Sequence, residues 1–193
     1  MKVDDSGMPE EVYWNSLFDI EGIVDWLDLS KINGATIVEI GCGYGTFTVP
    51  IAKKSAGKIF AFDIEPAMIK VAQENVRKAG LSNVTFSLRD VLEQGTGLES
   101  ESVDRVLLFN ILHFSERRLL LEEAARILKK DGIVAIIHWR KDIPTPRGPA
   151  VDLRPDQGEI LSAAAGLNLK FHGNSKILEP YHWGIQLVKE VAI

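Results

Sequence analysis

Cysteine, an excess of positive charge and long hydrophobic runs are the features that this sequence lacks. Its 193 residues include one cysteine, Cys42, which cannot form an internal disulfide and fits a reducing cytoplasm. The 22 lysines and arginines are outnumbered by 27 aspartates and glutamates, which gives a net charge of -5. We therefore expect no basic face of the size that general nucleic-acid binding requires.

Segments that would direct the chain into or across a membrane are also missing from the sequence. No run approaches the roughly 18 apolar residues of a membrane-spanning helix. Residues 1–6 carry acids where a signal peptide needs positive charge. No group of His, Cys, Asp or Glu has metal-ligand spacing. We expect one cytoplasmic domain over residues 1–193, without a membrane span and without a bound metal.

The most informative pattern lies in residues 37–52. A short β-branched run, typical of a buried strand, meets glycines at positions 41, 43 and 45 and continues into a segment that can form a helix. Strand, glycine turn and helix are the first parts of a nucleotide-binding βα unit. Glycines let the backbone turn sharply and let a ligand lie against it without Cβ clashes, and the helix start offers unpaired N–H groups.

The spacing of these glycines differs from the dinucleotide fingerprint G-x-G-x-x-G. Here the pattern is Gly41-x-Gly43-x-Gly45, and Glu39 precedes the first glycine by two residues. An acid at that place would repel a pyrophosphate and suits a ligand that carries an amino group and a sulfonium. The stretch resembles motif I of the class I S-adenosylmethionine-dependent methyltransferases, which is an acid, any residue, then G-x-G-x-G. The resemblance spans residues 35–189 and implies S-adenosylmethionine as cofactor and S-adenosylhomocysteine as product.

Polar residues after the next three strands extend this resemblance. Asp63 ends the second apolar run, about 20 residues after the first glycine, where an acid reaches the ribose hydroxyls of a nucleoside; a helix-capping role is the alternative. The resemblance implies that Asp90 accepts a hydrogen bond from the adenine amino group and that Asn110 lies beside the methionine end and the methyl group. It also implies cofactor contacts for four neighbouring residues: Cys42, Ile64, Met68 and Val91.

Apolar runs typical of buried strands alternate with helical periodicity along the rest of the chain, which predicts an α/β fold. The further predicted strands cover residues 58–63, 83–88, 102–109, 133–139, 167–172 and 181–188. The last two are expected to join through a hairpin-like loop with Gly173 and Pro180. The resemblance implies a Rossmann-like three-layer sandwich whose seven-stranded sheet has the order 3-2-1-4-5-7-6, with strand 7 antiparallel. Residues 1–34 are predicted to form a helical segment that packs on the sheet or covers the site.

Methyl transfer from a sulfonium depends mainly on positioning the acceptor, and it needs a base only if the acceptor must lose a proton early. His113 and His138 come closest to the predicted site by position and are the candidates for such a base. A hydrogen-bonding or core role is the alternative for each of them, so the catalytic residues stay undefined. Residues 109–114 resemble the end of strand four in small-molecule methyltransferases. They lack the N-P-P-Y motif of the DNA methyltransferases that act on amino groups of adenine or cytosine.

The acceptor is the least defined part of this prediction. A compact, acidic chain favours a small molecule, while small protein or RNA substrates stay open. Arg140, Lys141 and Arg147, in a proline-containing loop that is either a wall of the site or a connector, hint at an anionic acceptor. A nicotinamide-dependent oxidoreductase is an alternative function. The glycine spacing, the presence of Glu39 and the lack of a Tyr-x-x-x-Lys dyad argue against it. A non-catalytic S-adenosylmethionine-binding protein is a second alternative that the sequence does not exclude.

Overall fold

A computed structural model of the chain describes residues 7–29 and 34–190. Its centre is a seven-stranded sheet of order β3-β2-β1-β4-β5-β7-β6, in which β7 runs antiparallel to both of its neighbours. The α/β prediction and the predicted strand order are therefore confirmed. The strands are β1 Ile37–Ile40, β2 Ile59–Asp63, β3 Val84–Leu88, β4 Val103–Phe109, β5 Leu128–Trp139, β6 Leu169–Leu178 and β7 His182–Lys189.

Seven α-helices in the described residues accompany the sheet, and several begin or end at the residues that the sequence rules favour. The longest starts at Pro66. Proline lacks a backbone N–H, and an N–H in the first turn would have no intrahelical acceptor. Gly80 follows the end of this helix with φ of 69°. In the described part of the chain, no helix has both the length and the apolar character to span a membrane. The helices are α1 Glu11–Asn15, α2 Ile20–Trp26, α3 Thr48–Lys54, α4 Pro66–Lys78, α5 Val91–Gln94, α6 Arg117–Ile127 and α7 Gln157–Ala163.

The hydrophobic core lies on both faces of the sheet because the central parallel strands alternate their side chains between two buried sides. Val106 and Leu108 of β4 join one cluster, which helices α5, α6 and α7 cover. Leu107 and Phe109 of the same strand join the other cluster, which α2 and α3 cover. The helical prediction for residues 20–28 is confirmed by α2, whose Ile23 is fully buried.

Two strands are longer than the sequence indicated. The structure extends β5 back to Leu128, whereas the prediction began at residue 133. It also carries β6 through Gly173 to Leu178, where a loop was predicted from residue 173 onward. Gly173 has φ of 73° and lies at a register shift in the β6–β7 pairing, so this glycine forms an irregularity within the strand instead of ending it.

The topology brings several strand ends to one place. β1 pairs in parallel with β2 on one side and β4 on the other, so the carboxyl ends of all three lie at the same edge of the sheet. The chain runs outward in both directions from β1 and β4, and this topological switch point is where open α/β sheets bind ligands. At that edge the N–H groups of Gly41 and Cys42 both donate to the carbonyl oxygen of Phe62, at 2.8 and 2.9 Å.

Gly57, between α3 and β2, tests how tightly this fold is packed. A Cβ at this residue would lie 1.8 Å from the carbonyl oxygen of Ala35, a backbone atom that cannot move without shifting the start of β1. We expect Gly57→Ala to lower the free energy of unfolding by about 2–3 kcal/mol in urea titrations. Gly80→Ala is the control, since its Cβ would meet nothing within 4 Å and only its positive φ is strained; it should cost about 1 kcal/mol. Equal losses would contradict the steric explanation.

Candidate functional site

The glycine loop between β1 and α3 is the floor of the site. Gly41, Gly43 and Gly45 have φ of 80°, 53° and 78°, values that L side chains rarely adopt. A Cβ on Gly41 would also lie 2.7 Å from Cγ2 of Ile111, and a Cβ on Gly45 would lie 3.4 Å from Cβ of Ala72. All three positions therefore favour glycine, and two of them, Gly41 and Gly43, line a cavity.

Asp63, the last residue of β2, holds this loop in place. Its Oδ2 accepts a hydrogen bond from the N–H of Gly43 at 2.8 Å, and its Oδ1 accepts one from the N–H of Glu65 at 2.9 Å. Burial raises the pKa of Asp63, while these backbone donors oppose that rise. Since a carboxylate has about four lone-pair sites, Asp63 keeps acceptor capacity for a ligand while it anchors the loop.

The N–H groups of the glycine loop are largely used within the protein. Gly41 and Cys42 donate to Phe62, Gly43 donates to Asp63, and Gly45 donates to the carbonyl oxygen of Cys42 at 2.9 Å. A pyrophosphate-binding loop instead directs such N–H groups at its ligand. The hydrogen bonding of this loop therefore disfavours a dinucleotide.

Glu39 lies next to this loop but does not line the cavity. The side chain is 2% exposed, and its Oε2 accepts a hydrogen bond from the hydroxyl of Thr48, the first residue of α3, at 2.5 Å. Burial raises the pKa of Glu39 to about 8, with the Thr48 hydroxyl opposing the rise. The carboxyl is therefore largely protonated at neutral pH and connects β1 to the start of α3.

A cavity of about 460 Å³ opens above the glycine loop. The predicted site residues on its wall are Gly41, Cys42, Gly43, Asp63, Ile64, Met68, Asp90, Val91, Asn110 and His113. Glu39, Gly45 and His138 lie outside the lining. The structure thus brings the ends of β1, β2, β3 and β4 together around one cavity, as the motif order in the sequence indicated.

Two polar atoms on the cavity wall have no hydrogen-bond partner in the described structure: Oδ1 of Asn110 and Nδ1 of His113, both buried. Asn110 follows β4 with φ of 59°, a conformation that asparagine tolerates better than most residues. Burial lowers the pKa of His113, so its imidazole is neutral at physiological pH. Buried polar atoms are normally hydrogen-bonded, so this pair is a candidate for contact with a ligand.

His138 lies deeper in the protein than His113. It is 0% exposed on β5, and its ring centroid is 5.9 Å from that of His113. Burial lowers the pKa of His138 well below its usual value. Neither of its ring nitrogens has a hydrogen-bond partner in residues 7–29 and 34–190. The structure therefore gives His138 a position in the core behind His113.

Residues that the sequence did not single out as ligands form the roof of the cavity. Met8 and Trp14 line it from the N-terminal segment, and Leu153 does so from the 3-10 turn Val151–Leu153. This segment is tied to the glycine loop because the hydroxyl of Tyr44 donates to the carbonyl oxygen of Pro9 at 2.5 Å. The available signal was the helical character of residues 1–34, for which a cover over the site was one of the two predictions.

The loop of residues 140–149 forms the other half of the roof, and Arg154 fixes it. This arginine is only 6% exposed, and its guanidinium donates to the carbonyl oxygens of Pro149 at 2.9 Å, Arg140 at 2.8 Å and Arg147 at 3.3 Å. The guanidinium of Arg147 in turn donates to the carbonyl oxygen of Gly7. The loop is therefore a wall of the cavity and is joined to the N-terminal segment.

Comparison with known proteins supports the architecture. Residues 31–164 match the family model described as a methyltransferase domain. A solved S-adenosylmethionine-dependent methyltransferase from Aquifex aeolicus superposes with a TM-score of 0.78 at 27% identity, over 90% of each chain. A putative type 11 methyltransferase from Sulfolobus solfataricus does so with a TM-score of 0.73 at 25% identity, over 91% of this chain and 95% of the other.

Curated relatives are longer than this chain. A ribosomal protein L11 methyltransferase from Syntrophomonas wolfei is 31% identical over 100 residues, which is 51% of this chain and 31% of that protein. A 23S rRNA (uracil(1939)-C(5))-methyltransferase from Alcanivorax borkumensis is 33% identical over 152 residues, which is 78% of this chain and 30% of that protein. The matched part thus spans about a third of these two relatives.

Removing the Arg154 guanidinium should loosen the roof. We expect Arg154→Met to lower the free energy of unfolding by about 1–3 kcal/mol, because buried carbonyl oxygens lose their donor. We also expect trypsin to cut faster after Lys141 and Arg147, as read by mass spectrometry. Arg118→Met is the control, since Arg118 donates to the carbonyl oxygens of Ala163 and Ala165, away from the loop. Unchanged cleavage in Arg154→Met would contradict this role.

Stability should reach its maximum near pH 6.5. The raised pKa of Glu39, about 8 in the folded chain, makes a contribution that is lost as pH rises from 4.5 to 8. Burial lowers the pKa of His182 from 6.5 to about 3, with the Arg154 charge adding to this, and it lowers the pKa of His138 well below 6.5. Both contributions are lost as pH falls below 6.5, and together they exceed the opposite change from Glu39. Each group changes the free energy of unfolding by at most about 1.4 kcal/mol per pH unit.

Urea titrations at pH 5, 6.5 and 8 measure both limbs of this curve. Glu39→Gln removes the titrating group and keeps an oxygen for the Thr48 hydroxyl, so the decline above pH 6.5 should become shallower. An alkaline decline of the same slope in Glu39→Gln and in the parent chain would show that another group is responsible.

Proposed function

This chain belongs to the methyltransferase domain family, and we propose that it transfers the methyl group of S-adenosylmethionine to a small-molecule acceptor. One observation carries the proposal. A glycine loop, two strand-end carboxylates and two unpartnered polar atoms surround a single roofed cavity. The internal hydrogen bonding of the loop disfavours the rival nicotinamide cofactor.

The described residues fit the donor. Gly41, Cys42 and Gly43 line the cavity, and we propose that this part of the loop contacts the methionine part. Asp63 would accept hydrogen bonds from the ribose hydroxyls and Asp90 from the adenine amino group. The side chains that supply apolar contact around the nucleoside would be Ile64, Met68 and Val91.

Asp90 also caps α5, because its Oδ1 accepts hydrogen bonds from the N–H groups of Leu92 at 3.0 Å and Glu93 at 3.3 Å. The structural role and the proposed ligand role are therefore compatible in this residue, as they are in Asp63. Gly45 and Glu39, which lie outside the cavity lining, would act indirectly by fixing the loop and the start of α3.

When bound, S-adenosylmethionine supplies a methyl carbon that its sulfonium already activates. The contribution of the chain is positioning, which can supply roughly 7–11 kcal/mol of a displacement barrier. Asn110 Oδ1 would orient the acceptor beside the methionine end. Neutral His113 would accept a hydrogen bond from the acceptor at Nδ1 and could take its proton there, while buried His138 would support the His113 ring from behind.

A small-molecule acceptor is supported by the roof, since the Arg147–Gly7 hydrogen bond joins the loop of residues 140–149 to the N-terminal segment on one side of the cavity. A protein or RNA acceptor is the alternative, because curated relatives carry names that state ribosomal protein and rRNA methylation. Incubation with labelled S-adenosylmethionine separates the two: label in low-mass products supports the proposal, and label only in ribosomal protein or RNA fractions contradicts it.

S-adenosylhomocysteine should stabilise the chain against thermal unfolding. At 100 times its dissociation constant, a ligand adds about 2.7 kcal/mol, which corresponds to roughly 5–10 °C at this chain length. NADH, run beside it, should give no shift. A shift with NADH alone, or no shift with near-millimolar S-adenosylhomocysteine, would contradict the proposed cofactor.

Asp63→Asn tests the ribose assignment in the same assay. The amide has one acceptor oxygen in place of two, so the loop anchor and the proposed diol contact compete for it. We expect at least about tenfold weaker S-adenosylhomocysteine binding by calorimetry. Asp25→Asn is the matched control, because Asp25 pairs with Lys54 on the surface and should leave binding unchanged.

A further inference from the structure

Charged side chains divide the cavity wall into two ends. Asp63 ends β2, Glu65 follows it and Asp90 follows β3; all three lie at the end proposed for the nucleoside. The other end is formed by the N-terminal segment, the end of β5 and the loop of residues 140–149. In the described lining, this second end has no acid, and Arg147 is its cation.

The three basic residues that hinted at an anionic acceptor are separated by the structure. The guanidinium of Arg140 pairs with Asp142 at 2.7 Å, and the ammonium of Lys141 pairs with Asp156 at 2.7 Å. Arg147 has no carboxylate within salt-bridge distance in the described residues, and its guanidinium donates to the uncharged carbonyl oxygen of Gly7. Of these three, only Arg147 lines the cavity. Arg89, the other arginine of the described lining, lies beside Asp90 at the nucleoside end and donates to the carbonyl oxygens of Gln94 and Gly95.

Arg147 is held in position by its backbone. Its carbonyl oxygen accepts hydrogen bonds from the hydroxyl of Thr145 at 2.7 Å and from the buried guanidinium of Arg154 at 3.3 Å. At Gly148, which has φ of 112°, a Cβ would lie 2.9 Å from the indole of Trp139, so the loop lies directly on that ring. A binding group on such a fixed loop loses little conformational freedom when a ligand arrives.

Aromatic rings surround the same end of the cavity. The ring centroids of Trp14 and Trp139 are 6.2 Å apart with an edge-to-face orientation, and those of Phe47 and Phe109 are 5.0 Å apart. All four residues line the cavity. Such walls favour a flat apolar ligand body, and the neutral His113 and Asn110 supply hydrogen-bonding atoms without charge.

We propose that Arg147 determines acceptor specificity and that the acceptor is a small aromatic acid. The ring of this acid would contact Trp14, behind which Trp139 packs. Its carboxylate would pair with the Arg147 guanidinium, whose planar fork matches two carboxylate oxygens. This inference rests on the proposed function, since it concerns the acceptor end of the same cavity. The carboxylate anchors the compound, and a separate nucleophilic group receives the methyl.

Three probes of the same size and shape test the charge preference: 4-hydroxybenzoate, 4-hydroxybenzyl alcohol and 4-hydroxybenzylamine. Dissociation constants are measured by ligand-observed NMR with S-adenosylhomocysteine at saturation. We expect the acid to bind at least about fivefold more tightly than the alcohol, and the amine to bind most weakly. Arg147→Gln, which can still donate to Gly7, should abolish the preference, and Arg147→Lys should keep part of it.

Arg140→Gln is the matched control, because it removes an arginine from the same loop whose charge Asp142 already neutralises; the preference should persist. Equal binding of the three probes, a preference that survives in Arg147→Gln, or no binding of the acid at about 10 mM would overturn the inference. Saturation by S-adenosylhomocysteine is recorded first. Its failure contradicts the proposed function, whereas normal saturation without charge preference contradicts only the role of Arg147.

Discussion

The hydrogen bonds between the end of β2 and the glycine loop are the constraint on which the rest of the site depends. Phe62 accepts two N–H groups through its carbonyl oxygen, and Asp63 accepts a third through its side chain. These bonds fix the left-handed conformation of the loop, and that conformation is why the positions favour glycine. They also occupy the N–H groups of Gly41, Cys42 and Gly43, which are then unavailable to a phosphate. One small set of contacts thus supports the loop and selects against a class of ligand.

Ionisable groups around the site show how burial separates structural from binding roles. Glu39 and His138 lie next to the cavity wall, but both are buried. Burial raises the pKa of Glu39 and lowers that of His138, so each side chain favours its neutral form. Asp63 and Asp90 stay on the wall and combine backbone contacts with access to the cavity. The charge that a ligand meets is therefore set by the strand-end aspartates and by the roof, and the acid of the motif lies behind them.

The fold was predictable because its signals are local. Apolar runs, glycine spacing and strand-end acids each occupy a few consecutive residues, and the strand order followed from their sequence through the family resemblance. The orientation of Glu39 was not predictable, since β1 is buried on both faces and gives no alternation from which to read a side. Gly173 suggested a loop because the sequence does not distinguish a strand irregularity from a strand end.

The roof was the part of the site that the sequence could not define. Arg154 looks like an ordinary surface residue, because nothing nearby in the sequence indicates that its guanidinium reaches carbonyl oxygens at positions 140, 147 and 149. Trp14 shows the same difficulty, since its place on the cavity wall depends on contacts far along the chain. Such long-range contacts are set by tertiary packing, which single-sequence patterns do not record.

The position of the N-terminal segment has a consequence for biosynthesis. This segment precedes every strand of the sheet, yet the N–H of Asp19 donates to the carbonyl oxygen of Glu179, and Phe18 pairs with Pro180 at the β6–β7 turn. Contacts between residues so far apart in the sequence form late, because a long loop must close before they are made. A nascent chain that has emerged only as far as β4 therefore has the glycine loop and its aspartates but not the roof of the cavity. The roof is in this sense gained only when the β6–β7 hairpin reaches the sheet.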